Sequence, residues 1–238
     1  MTSSSDTDGR SFLRPVEGPA TSQPPAPLIF KVLPAIKSRD QVIATVRDIA
    51  RLSGRHAKAG IEPRVIYDEA ACPVYEGCPS PDVASALLDE ALKLWHLKPD
   101  EQNLSTTARA LLASGDHDAF KELPKGDRLR HRQAYQIIIS VRASHDPTGG
   151  ERLLEAVGDA VIDVFGGRGY RAFYALNTTG EHPNVRLLVC AQNRRPPYRR
   201  LRFSRYGGEL RAMKQVFVER AREWSLNVVV PTRKTRSK

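Results

Sequence analysis

From residue 170 onward the sequence commits itself to a sheet. YRAFYAL and VRLLVCA, separated by NTTGEHPN, alternate large apolar residues with Arg171 and Arg186, the period of two that gives a strand one dry face and one wetter face. Gly180 and Pro183 give the connection its turn chemistry. A further run, AYQIIISV at residues 134–141, is apolar almost throughout and reads as a central strand. LIFKVLP at residues 28–34 reads as a short strand closed by Pro34.

Helices to cover these strands are written in caps and stripes. Ser38 is placed as an N-cap, followed by Val42, Ile43, Val46, Ile49 and Ala50 at helical spacing. Ser80, Pro81 and Asp82 open a second helix whose stripe reads Leu87, Leu88, Ala91, Leu94 and Trp95 and which stops before Pro99. Residues 105–114 form another, ended by Gly115. Thr148 and Glu151 have the spacing of a capping box ahead of Leu153, Leu154, Val157, Val161, Val164 and Phe165. Leu210, Met213, Val216, Phe217 and Ala221 give residues 207–224 one apolar side. The expectation is an α+β fold with helices packed on a largely antiparallel sheet. Its boundaries fall at 28–230, after a Ser-, Thr- and Pro-rich leader over 1–27 and before a basic tail over 231–238. Residues 115–132 are polar and turn-rich and read as a mobile loop or an internal boundary.

Charge is distributed unevenly. The 238 residues carry a formal net charge of +10, yet from Arg186 to the end there are 15 Lys or Arg against 3 Glu, so the basicity belongs to one segment. Within it Arg194, Arg195, Arg199, Arg200, Arg202 and Arg205 are interleaved with Tyr198, Phe203 and Tyr206. Guanidinium forks grip phosphate bidentately and aromatic faces stack unpaired bases, so the pattern reads as a groove for single-stranded DNA. Cys72, Cys78 and Cys190 fit no zinc spacing and read as structural. No apolar run of membrane-spanning length and no signal sequence occurs, so the expected location is the cytoplasm, without membrane insertion.

The strand, turn and strand of residues 170–190 resemble the relaxases, the mobilisation endonucleases of conjugative plasmids and of T-DNA transfer. These carry His-x-Asp-x-x-His-Pro-His-x-His in that context. Here the frame reads Asn177, Thr179, His182, Pro183, Asn184 and Arg186. The family's catalytic tyrosine pattern, Leu-x-Tyr-Ile-x-Arg, matches residues 46–51 with Asp48 in the tyrosine position, and a strand reading His-Ile-Val-Leu-Ser matches from Gln136. The resemblance implies a relaxase-like (HUH-endonuclease) fold, DNA of a transfer origin as ligand, and transfer or secretion proteins as partners. It implies a divalent metal, Mg or Mn, only where nicking is retained, and no other cofactor. Arg186 has no lone pair to offer a metal, but its guanidinium suits a phosphate.

Three functions are compatible with these residues. One is a relaxase-derived protein that holds single-stranded or origin DNA through Arg186 and the basic run without cutting it. Another is a working relaxase that uses His182 and a displaced tyrosine, Tyr67 or Tyr75, to form a phosphotyrosine link. The last is a protein-interaction module of a transfer or replication complex.

Overall fold

The structure, a computed structural model, describes residues 25–52, 63–75, 79–141, 148–178, 182–203 and 208–230. Its strands are β1 (Ala26–Val32), β2 (Tyr67–Asp68), β3 (Ala134–Val141), β4 (Ala172–Asn177), β5 (Asn184–Cys190) and β6 (Val228–Val229). They form one six-stranded sheet in the order β2-β4-β5-β3-β1-β6. Every pairing is antiparallel except that of β1 with β6, so the sheet is mixed. The most apolar strand, β3, lies inside the sheet between β5 and β1, as its composition requires.

Helices cover both faces. α1 (Arg39–Ile49) and α2 (Pro81–Lys93) lie on one, while α6 (Gly149–Val161) and α7 (Gly208–Glu223) lie on the other. Between them in sequence come α3 (Thr106–Ala113), α4 (His117–Glu122) and a single turn, α5 (Lys125–Arg128). The serine hydroxyls of Ser38, Ser80 and Ser105 accept from Gln41 N, Val83 N and Ala108 N at 3.3, 3.4 and 3.2 Å, fixing three helix starts. Such caps contribute about 1 kcal/mol each.

Alternation along β5 sets the two faces. Val185, Leu187 and Val189 enter a core with Leu153, Val157, Val161, Met213 and Phe217 of α6 and α7. Leu188 and Cys190 point the other way, into a core with Val42, Val46 and Ile49 of α1 and Leu88 and Trp95 of the α2 region. Arg186 shares their parity and so faces α1.

Three expectations are corrected. In α2 the buried stripe is Ala84, Leu88 and Leu92, continuing to Trp95, while Leu87 and Leu94 remain 41% and 53% exposed. Thr148 occupies the N-cap position of α6, but its side chain accepts no capping hydrogen bond. Residues 115–132 are not a loop throughout. They contain α4 and α5 and end in a bridge between Leu129 and Leu104. The buried Asn103 holds this segment: its Nδ2 donates to Lys37 O at 2.8 Å and to His131 O at 2.9 Å, and its Oδ1 accepts from His131 N at 3.0 Å. Among the described residues no helix is long and apolar enough to cross a membrane.

Candidate functional site

Two groups of chemistry-bearing residues form at opposite ends of the central strands. The first gathers at the Asn184 end of β5. Arg186 Nη1 donates to Asp48 Oδ2 of α1 at 3.4 Å, pairing two residues 138 positions apart, with both side chains about three-quarters or two-thirds buried. Cross-strand, Asn177 stands opposite Asn184 and its Nδ2 donates to Asn184 Oδ1 at 3.3 Å. Arg64 reaches in from the segment before β2 and donates to Asn177 Oδ1. The Arg64 backbone is itself fixed, its N–H donating to Ala50 O at 2.9 Å and its carbonyl accepting from the buried Tyr75 phenol. Burial, and then the like charges of Arg51 and Arg186, pull the Arg64 guanidinium down to about 10, with Asp48 opposing. The group therefore holds three cations against one carboxylate.

These residues do not fit a divalent cation. Asn184 offers at best an amide oxygen that is already accepting from Asn177, Arg186 has no lone pair, and Arg51 and Arg64 add repulsion. Among the described residues no group of three His, Cys, Asp or Glu has the arrangement of a metal site. His182 is exposed, and its contact with the group is a carbonyl that accepts from Asn184 Nδ2 at 3.5 Å. Gln136 shares the face of Arg186 but stands one pleat along, opposite Leu188; Ile138 is the residue directly across from Arg186. Thr179 lies outside the described residues.

The two tyrosine candidates separate. Tyr67 is on the opposite face of the sheet from Arg186, stacked on Tyr174 with ring centroids 5.5 Å apart. Tyr75 is on the correct face but is 4% exposed, bonded to Arg64 O, and pushed up to about 12 by burial, the reverse of an activated nucleophile.

The second group forms beyond Cys190, at the other end of β5. Residues 192–200 fold back on themselves around the buried Asn193, whose N–H donates to Arg199 O at 3.0 Å and whose Oδ1 accepts from Arg199 N at 2.6 Å. The chain then re-enters alongside the sheet through Leu201 N, which donates to Ala191 O at 2.8 Å. This geometry sorts the arginines. Arg194 turns inward toward the Cys190 sulfur, and the stem of Arg195 packs on Gly169, where φ is +76° and an added Cβ would come within 2.8 Å of it. Arg199, Arg200 and Arg202 are exposed on either side of the buried Leu201, and Tyr198 is 66% exposed beside them. Phe203 meets Tyr135 edge-on at 4.8 Å and 87°, a packing role rather than an open stacking face. Arg205 lies outside the described residues.

What the sequence reading missed is the partner of this run. The strip leading into β3 brings Arg130, His131 and Arg132 against Arg200 and Arg202 around a cavity of about 310 Å³. Arg132 donates to the Tyr135 hydroxyl at 2.9 Å, and that hydroxyl donates to Leu201 O at 3.1 Å, tying the two strips together. Desolvation, then Arg200, Arg130, Lys98 and Arg109, hold the His131 imidazole below its usual range. The available signal was the basic LRHR immediately before an apolar strand. Compared with protein-family models, with curated proteins and with solved structures, the chain finds no match.

Proposed function

We propose that this protein binds single-stranded or transfer-origin DNA through the arginine-rich end of its sheet, on a relaxase-like frame that no longer cuts. The observation that carries binding is the convergence of two separate basic strips, 130–132 and 200–202, at one end of the central strands, around a cavity with no acidic side chain in its lining among the described residues. Dense, acid-free guanidinium surfaces of this kind match a phosphate backbone. The loss of cutting is supported by the ion pair of Asp48 with Arg186, which joins the tyrosine position of the resemblance to one of its metal-ligand positions. A carboxylate tied to a guanidinium is neither a phenol nucleophile nor a metal ligand free to polarise phosphate.

Fluorescence anisotropy of a labelled single strand and its duplex across a salt series tests binding. Submicromolar single-strand affinity is expected, with a steep salt slope that falls by roughly 2 when Arg199, Arg200 and Arg202 are all changed to alanine. Incubation with supercoiled origin DNA and Mg or Mn is expected to leave it supercoiled, and nicked circles would overturn the second half of the reading. A protein-interaction module has one observation in its favour, the exposure of Val83, Leu87 and Leu94 along one side of α2. Binding equally weak for single strand, duplex and an unrelated polyanion would favour it.

A further inference from the structure

Like charges do not converge on a small space without cost. Four arginines, Arg130, Arg132, Arg200 and Arg202, line the cavity of about 310 Å³ together with His131 and Tyr135. The arrangement is built rather than incidental. Asn103 bonds the His131 backbone on both sides, at 3.0 and 2.9 Å, from a position 1% exposed. Asn193 and the Leu201–Ala191 bond fix the opposite wall. The Tyr135 hydroxyl links Arg132 to Leu201 O across the floor. Four arginines and a histidine around one cavity exceed what one backbone phosphodiester, with its single charge, calls for. A phosphate monoester carries close to two charges near neutral pH and three oxygens for bidentate guanidinium contacts. The volume is that of a pocket for one small ligand rather than a track for a strand.

We propose that this cavity is a phosphate-monoester site, held by Arg130, His131, Arg132, Arg200 and Arg202, that takes the terminal phosphate of a nucleic-acid strand or the phosphate of a free nucleotide. The strand-end form rests on the DNA-binding reading, because the exposed Tyr198 and Arg199 immediately precede Arg200 in the chain and would carry the following nucleotides. The free-nucleotide form stands without it.

The test uses the full-length protein and one oligonucleotide sequence with a 5′-phosphate, a 3′-phosphate or hydroxyls at both ends, each labelled at the other end or internally, with adenosine monophosphate as competitor. One phosphorylated strand is expected to bind at least about tenfold tighter than the hydroxyl strand, a difference of about 1.4 kcal/mol. Arg200→Ala with Arg130→Ala is expected to abolish that difference, so that within this variant the phosphorylated and hydroxyl strands bind equally. His131→Gln, a milder change, should shrink the difference and guards against a double variant that fails to fold. Displacement by the mononucleotide at concentrations comparable to the strand assigns the site to free nucleotides, and displacement by phosphorylated strands alone assigns it to strand ends. Equal binding of all three strands, with no effect of the mononucleotide, overturns the proposal while leaving DNA binding intact. Mononucleotide binding without strand binding overturns the DNA reading and keeps the site. Absence of both overturns both.

Discussion

At Gly158, in the middle of α6, helix propensity and packing give opposite advice. Alanine in a helix interior is ordinarily favoured over glycine by roughly 0.5–1 kcal/mol. Here an added Cβ would stand 2.7 Å from the hydroxyl of Tyr174 and 3.5 Å from Cβ of Ala71. Tyr174 cannot swing away, because its ring is 2% exposed and stacked on Tyr67. Gly158→Ala is therefore expected to destabilise the fold by about 1 to 3 kcal/mol, read from the denaturation midpoint in urea. Adding Tyr174→Phe, which removes the obstructing oxygen, should recover part of the loss. A stabilised Gly158→Ala would show that the two elements are packed more loosely than these distances state. Nothing in the sequence marks this contact, since residues 158 and 174 come together only when α6 lies across β4. The same limit applies to the Asp48–Arg186 pair. Both positions were legible as departures from a pattern, but their mutual contact depends on how α1 crosses β5.

At the scale of elements, local signals were readable and tertiary ones were not. Ser80, Pro81 and Asp82 start a helix by satisfying its own first N–H groups and its dipole, so the start is written locally. Which side of α2 is buried is decided by its neighbours. The small Ala84 lies fully buried in the stripe, and the larger Leu87 and Leu94 are left outside. The stretch 115–132 has no period to read because its helices are one or two turns long and its path is set by Asn103, far back in the sequence. Replacing that residue tests the account. Asn103→Ala removes three side-chain hydrogen bonds at a buried position. The expected loss is about 2 to 3 kcal/mol, because the Lys37 and His131 backbone groups lose their partners. Hydrogen exchange should show faster exchange of the 103–131 segment, with β4 and β5 protected as before. Uniformly faster exchange across the sheet would mean that Asn103 supports the whole core and not this clamp.

Across the whole molecule, the arginines of 130–132 and 200–202 meet at one end of the central strands, and His131 reports their field. Burial and four neighbouring cations, Arg200, Arg130, Lys98 and Arg109, lower its affinity for a proton in the folded protein. The unfolded chain, with an ordinary imidazole near 6.5, then binds more protons as the pH drops through that value. Stability consequently rises with pH across the window below about 6.5 and is lost on acidification. A bound polyanion reverses the sign, because phosphate oxygens beside the imidazole favour its charged form and binding then takes up a proton. Between pH 7.5 and 5.5 the Tm of the free protein is expected to fall more than that of His131→Gln, while affinity for a single strand rises more in the wild-type protein than in the variant. Other titrating groups, including Glu155, whose carboxyl is pushed up by burial and by Asp159, are common to both proteins and cancel in the comparison. Thermal unfolding and anisotropy at matched ionic strength read the two quantities. Parallel pH profiles for wild type and His131→Gln, in both measurements, would place the polyanion away from the 130–132 strip and confine binding to residues 198–202.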